Sequence, residues 1–160
     1  MRLHLLRHGD AGDPDTYPGP DAERPLTAKG QAQARRLGGF LADRKFVTDL
    51  VLSSPKVRAR ETAEIVAGHL AMPVVIDERL GGALDLATLE AILHDQHDPV
   101  RPILVGHDPD FSELLSVLSC TAGVPMRKGA FARIEVERPL KPGTGTLRWL
   151  LPPDALKTDG

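Results

Sequence analysis

The pattern of apolar and polar positions predicts strands and helices that alternate along most of the chain. Short apolar runs predict buried strands over residues 2–6, 49–53, 73–76 and 102–105. Apolar residues at helical spacing predict one helix after each of these strands, over residues 28–43, 55–70, 86–93 and 110–118. This alternation is typical of an α/β protein with helices on both faces of its sheet.

Two of the helices carry recognisable start signals. Thr27 is a good N-cap, because its hydroxyl can accept a hydrogen bond from a free backbone N–H of the first turn. Ser54 precedes Pro55, and proline is favoured at the first helical position, so we predict that Ser54 caps the second helix.

The last third of the chain changes period. Residues 131–137 and 146–151 alternate apolar and polar positions on either side of a Pro/Gly-rich loop, which predicts an antiparallel hairpin. We therefore expect a single domain over residues 1–160. Its predicted fold is a three-layer α/β/α sandwich with a mostly parallel sheet and an antiparallel hairpin at the C-terminal edge.

The segment from residue 10 to residue 25 interrupts this regularity. It holds four prolines, two glycines, five acidic residues and one basic residue, which predicts a long surface loop. Loops of this length are uncommon in compact domains and are usually functional or mobile.

Composition narrows the function classes. The 160 residues are 41% hydrophobic and 26% charged, which is ordinary for a globular domain and excludes a disordered or coiled-coil chain. With 20 basic and 22 acidic residues, the net charge of −2 supplies no field to hold nucleic acid or an anionic membrane. We therefore expect neither as a partner, and any bound anion needs a local site.

Location follows from equally simple features. Cys120 is the only cysteine, so no internal disulfide forms and a reducing compartment is expected. The start, MRLHLLRHGD, is unlike a signal peptide, and no stretch approaches the roughly 18 apolar residues of a membrane span. We expect a cytoplasmic, monomeric protein.

Two arginines and two histidines lie at or after the ends of predicted strands. Arg7 and His8 end the first strand, Arg58 lies in the helix after the second, and His107 follows the run 102–105. Ligands of α/β sheets bind beyond the carboxyl ends of the strands, so these side chains should converge. The arginine fork matches phosphate oxygens, and a histidine among cations is biased toward the neutral form that can attack phosphorus. A second histidine can donate a hydrogen bond to the phosphoryl group. The residues therefore predict phosphoryl transfer.

Three segments carry a family resemblance. LLRHGDA, SSPKVRARETAE and VGHDPDFSELL resemble, in this order, the signatures of the histidine phosphatase superfamily. Within it, the chain is most similar to the short phosphohistidine phosphatases of the SixA type. Further matching segments are ERPLTAKGQAQARRLG, GGALDL and MRKGAFARIEVE.

The resemblance implies roles for single residues. It implies that His8 is the nucleophile and forms a phosphohistidine intermediate, and that Arg7, Arg58 and His107 complete the phosphate pocket. It also implies that no metal or other cofactor is needed. The chain departs from the phosphoglycerate mutases of the superfamily at Ala11 and Pro14, where mutases usually carry serine and asparagine, and it lacks their long insertions. Both departures favour an open site that accepts a protein-borne phosphate.

The general acid is left open. Asp10 is the first candidate because it lies two residues after His8, with Glu78 and Asp85 behind it. The acid can also be weak or missing, because a phosphoramidate leaves as imidazole, which is a better leaving group than an alkoxide.

Three functions are compatible with these residues. The first is a metal-independent phosphatase that hydrolyses phosphohistidine on a protein such as a histidine phosphotransfer domain. The second keeps the chemistry but acts on a small phosphorylated substrate. The third is a phospho-ligand binding module that has lost turnover.

Overall fold

A six-stranded sheet forms the middle layer of the protein in the computed structural model, which describes residues 1–158. The strands are β1 (Arg2–Arg7), β2 (Leu50–Ser53), β3 (Val74–Ile76), β4 (Pro102–Gly106), β5 (Phe131–Val136) and β6 (Gly145–Leu151). Their spatial order is β3-β2-β4-β1-β5-β6; the first four strands are parallel, and β5 is antiparallel to both of its neighbours, β1 and β6. The mostly parallel sheet and the C-terminal hairpin are therefore confirmed.

Two helices cover each face of the sheet. They are α1 (Ala28–Asp43), α2 (Val57–His69), α3 (Leu86–Asp95) and α4 (Asp110–Ser119). Alternating side chains of β1 point to opposite faces, so Leu3 and Leu5 pack with α3 and α4, whereas Leu6 packs with α1 and α2. The three-layer α/β/α sandwich is confirmed. In residues 1–158 no helix is both long and apolar enough to cross a membrane.

The two predicted helix starts have different outcomes. Thr27 caps α1 as predicted, because its hydroxyl accepts a hydrogen bond from the Gly30 N–H at 3.1 Å. The prediction that Ser54 caps α2 is wrong, since the helix begins at Val57. The backbone N–H of Ser54 still donates to the Val105 carbonyl at 3.0 Å, so the chain remains extended beyond β2.

The strand order explains why the predicted site residues converge. β1, β4 and β2 are neighbours and run parallel, so their carboxyl ends meet at one edge of the sheet. The segments that follow these three strands carry His8, His107 and Arg58. Residues separated by about 50 positions along the chain are thereby brought to one place.

Candidate active site

The turn that carries His8 is fixed by backbone hydrogen bonds from two other segments. The N–H of His8 donates to the Gly106 carbonyl at 3.0 Å. The N–H of Gly129 donates to the carbonyls of Arg7 and His8 at 3.1 and 2.9 Å. Gly129 has φ +81°, a conformation that favours glycine. The position of the His8 backbone is therefore set by β4 and by the segment before β5.

The ring of His8 is buried and held in one tautomer. Its Nδ1 lies 2.7 Å from the Gly9 carbonyl oxygen, which can only accept, so Nδ1 carries the proton and donates. Burial, with the positive charges of Arg58 and Arg7, lowers the pKa of His8 to about 3 despite this hydrogen bond. The ring is neutral near pH 7, so Nε2 keeps a lone pair for nucleophilic attack.

His107 lies beside His8, with ring centroids 5.2 Å apart. Its Nε2 is hydrogen-bonded to the Ser54 hydroxyl at 2.7 Å, and its Nδ1 is buried with no partner among the described residues. Burial, followed by the proximity of His8 and Arg58, lowers the pKa of His107 to about 3. Both histidines are therefore neutral near pH 7.

The two arginines are anchored through one end of each guanidinium group. Arg7 Nη1 donates to the Met126 carbonyl at 2.8 Å, and Arg58 Nη1 donates to the Asp21 carbonyl at 2.8 Å. In both side chains Nε is buried and has no partner within residues 1–158. Each arginine therefore keeps donors free while its orientation is fixed.

Unpartnered buried nitrogens are concentrated in this cluster. Across the described chain, five buried side-chain nitrogens have no hydrogen-bond partner, and three of them belong to Arg7, Arg58 and His107. Buried polar groups are normally satisfied, so an unsatisfied set calls for an explanation. Guanidinium and imidazole nitrogens around a neutral histidine suit an oxyanion with several acceptor atoms.

Asp10 is engaged by other residues. Its Oδ2 accepts a hydrogen bond from the Thr27 hydroxyl at 2.6 Å, and its Oδ1 lies 3.6 Å from Lys128 Nζ. The Thr27 hydrogen bond, which outweighs partial burial, and the charge of Lys128 lower the pKa of Asp10. The carboxylate is thus ionised near pH 7, a state that does not favour the predicted role of general acid.

The other two acid candidates, Asp85 and Glu78, lie in the segment between β3 and α3. Asp85 is the N-cap of α3 and accepts a hydrogen bond from the Thr88 N–H at 2.8 Å, which lowers its pKa. Glu78 lies in a short 3-10 turn, Glu78–Gly81, with an exposed side chain.

Some residues of the site escaped the sequence analysis. Thr62 joins the His8 turn to α2, because its hydroxyl accepts from the Gly9 N–H at 3.1 Å and donates to the Arg58 carbonyl at 2.7 Å. Ser54 contacts His107 rather than capping a helix. Both lie inside the segment SSPKVRARETAE, so the motif contained the signal although their roles were not predicted.

Comparison with known proteins gives the class. The model of the histidine phosphatase superfamily (branch 1) matches residues 3–93, which include the first two of the three signature segments. The chain belongs to this superfamily, which confirms the resemblance, and the protein is a histidine phosphatase enzyme.

The chain is similar to individual phosphatases of the superfamily. The phosphohistidine phosphatase SixA of Escherichia coli K12 is 30% identical over 162 residues, which cover 98% of this chain and 97% of that protein. The structure of the protein histidine phosphatase SixA complexed with tungstate has a TM-score of 0.84 at 26% identity, covering 98% of this chain and all of that one. The adenosylcobalamin/alpha-ribazole phosphatase of Escherichia coli K12 is 44% identical over 78 residues, 48% of this chain and 37% of that protein.

The close approach of α1 to the His8 turn depends on Gly30. A Cβ atom at this position would lie 2.0 Å from the Asp10 carbonyl oxygen, which is backbone and cannot move aside. Asp10 is also fixed there, since its N–H donates to Gln33 Oε1 at 2.8 Å. The start of the helix and the turn after His8 therefore form one packed unit.

We predict that Gly30→Ala lowers the free energy of unfolding by about 3 kcal/mol, the upper range for overpacking. Gly39→Ala in the same helix is the matched control, because nothing lies within 4 Å of the added methyl group. It should raise the free energy of unfolding by about 0.5–1 kcal/mol through helix propensity. Urea denaturation measures both, and equal effects would contradict the packing described here.

Proposed function

We propose that this protein is a metal-independent phosphatase that removes phosphate from phosphohistidine on a protein, with His8 as the nucleophile. The observation that carries the proposal is the set of unpartnered buried nitrogens of Arg7, Arg58 and His107 around the neutral ring of His8. Such donors match the charge that spreads over the equatorial oxygens of a transferred phosphoryl group. The similarity to SixA along almost the whole chain supports the choice of substrate.

The first step transfers the phosphoryl group to His8. The lone pair of Nε2 forms a bond to phosphorus while the N–P bond of the substrate breaks, and its electron pair returns to the substrate's imidazole. Arg7 and Arg58 hold the equatorial oxygens. His107 Nδ1 donates to them in the tautomer in which the Ser54 hydroxyl donates to Nε2.

The second step releases phosphate. Water attacks the phosphorus atom, the bond to Nε2 breaks, and its electron pair returns to the ring. Nδ1 keeps its proton throughout and donates it in a hydrogen bond to the Gly9 carbonyl. The ring of His8 therefore leaves as neutral imidazole rather than as an anion. The proton of the attacking water goes to solvent with the released phosphate.

No carboxylic acid is needed on this route. The substrate's imidazole also departs as a neutral molecule when its ring nitrogen that is not bonded to phosphorus carries a proton. Protonation of a histidine ring is accessible near neutral pH, because its unperturbed pKa is near 6.5. The ionised state of Asp10 agrees with a reaction of this kind. An alkoxide leaving group, by contrast, needs a proton donor.

A groove beside Arg7 supports a polypeptide substrate. It is a shallow, open groove of about 750 Å³ between α4 and the segment 123–125, and its apolar lining includes Pro109, Val117 and Val124. Its charged lining residues are Arg7 and two carboxylates, Asp108 and Glu113. These carboxylates would repel the second phosphate of a nucleotide or sugar, whereas a polypeptide surface around a phosphohistidine carries no such obligatory negative charge.

The proposal is tested with a histidine phosphotransfer domain phosphorylated on histidine, in the presence of a chelator. We expect hydrolysis by the wild-type protein and a loss of about a thousandfold or more in His8→Ala. His97→Ala, which removes an exposed histidine, is the control and should retain full activity. Loss of wild-type activity with the chelator would overturn metal independence.

A second arm of this experiment uses an aryl phosphate. His8-dependent turnover of the aryl phosphate, without hydrolysis of the phosphoprotein, would favour the small-molecule phosphatase. That candidate is supported by the local 44% identity to the adenosylcobalamin/alpha-ribazole phosphatase. Silence on both substrates, with oxyanion binding retained, would favour a binding module.

The groove makes a separate prediction about substrate class. Val117, 41% exposed on α4, lines the groove, so Val117→Asp should lower kcat/KM for the phosphoprotein by about fivefold or more, the effect of about 1 kcal/mol at an interface. Turnover of the aryl phosphate should be unchanged. Val47→Asp, at a valine that is 59% exposed and outside the groove, is the matched control. Equal loss on both substrates would contradict the assignment.

A further inference from the structure

An ionic bridge ties the loop 10–25 to the phosphate pocket. The Asp21 carboxylate accepts hydrogen bonds from two arginines, from Arg24 Nε at Oδ1 and from Arg58 Nη2 at Oδ2, each at 3.1 Å. The Asp21 carbonyl also accepts from Arg58 Nη1 at 2.8 Å. A single loop residue therefore contacts both terminal nitrogens of Arg58.

Arg24 fixes the position of the Asp21 carboxylate. It is buried, and its Nη1 donates to the carbonyls of Ala11 at 2.7 Å and Gly12 at 3.1 Å. The bridge thus connects the chain just after the His8 turn to the first turn of α2. The Asp21 side chain is 52% exposed, whereas the two arginines that hold it are buried, so the bridge lies at the surface with its cationic ends fixed in the packed structure.

The bridge leaves one edge of Arg58 free. Asp21 occupies one N–H on each of Nη1 and Nη2, whereas Nε is buried and has no partner in the described chain. A guanidinium group has five N–H donors in a fixed plane, so fixing its outer end also fixes the direction of the remaining donors. The orientation of the free edge is therefore set before any anion arrives.

We propose that Asp21, anchored by Arg24, is a positioning residue that holds the Arg58 guanidinium ready for the phosphoryl group. The inference rests on the proposed role of Arg58 in phosphate binding. The competing possibility is that the Asp21 carboxylate opposes the phosphoryl group, because it already neutralises part of the charge of Arg58. The two possibilities predict opposite changes in oxyanion affinity.

The experiment measures tungstate binding by calorimetry and kcat/KM for the phosphoprotein. In Asp21→Ala we expect both to fall by about tenfold, the effect of losing one oriented charge-assisted contact. Asp15→Ala is the matched control, because it removes an exposed acid of the same loop that does not contact Arg58, and it should change neither quantity. Asp21→Asn is an isosteric second variant: the arginines bind different carboxylate oxygens, and the amide NH2, which only donates, would face one of them, so the affinity of this variant for tungstate should fall too.

The Arg58→Ala background separates positioning from a general structural effect. If Asp21 acts through Arg58, Asp21→Ala has no further effect on tungstate affinity once Arg58 is alanine. An equal loss in both backgrounds, unchanged affinity in the single variants, or tighter binding would each overturn the inference. If Arg58→Ala alone leaves tungstate binding intact, the phosphate-binding role of Arg58 fails instead.

Discussion

The hydrogen bond from His8 Nδ1 to the Gly9 carbonyl is the interaction on which the chemistry of the site depends. It keeps the ring in the tautomer whose Nε2 lone pair is free, while burial and the charges of two arginines keep the ring neutral. In the proposed mechanism the same proton makes His8 a good leaving group in the second step. Much of the surrounding structure serves to hold this short turn, from Gly106 and Gly129 to the close approach of Gly30.

Burial of the site's histidines and unpartnered donors is unfavourable for folding, and the apolar packing of the rest of the molecule offsets it. Neutral histidines and donors without partners are costly to bury, because each has given up hydrogen bonds to water. The apolar layers on the two faces of the sheet surround the strands that lead to the site. Unsatisfied groups of this kind cluster at functional sites, where bound substrate supplies the missing partners.

The sequence predicted most of the architecture, because strand and helix periods are local signals. It also predicted that Arg7, His8, Arg58 and His107 follow strands, and the parallel order of β1, β4 and β2 then brings these residues together. The role of Ser54 was missed because its backbone pairs with Val105, a contact that depends on sheet register rather than on nearby residues. The contact that keeps Asp10 ionised could not be predicted either, since its partner Thr27 belongs to another element.

The contact between Asp21 and Arg58 shows the same limit. These residues are 37 positions apart, and the acid lies in a loop without a periodic pattern. Its place depends on Arg24, whose anchors are backbone carbonyls that no sequence pattern marks. The Arg58 signal was visible in the motif, whereas the residue that orients it was not.

The most direct measurement is the chemistry of the trapped intermediate. The protein is mixed with the histidine-phosphorylated phosphotransfer domain, quenched in alkali, and analysed by mass spectrometry and phosphorus NMR. The proposed mechanism predicts an acid-labile phosphate on His8, attached at Nε2, because Nδ1 donates to the Gly9 carbonyl. Phosphate attached at Nδ1, or on a residue other than His8, or no adduct during active turnover would contradict it.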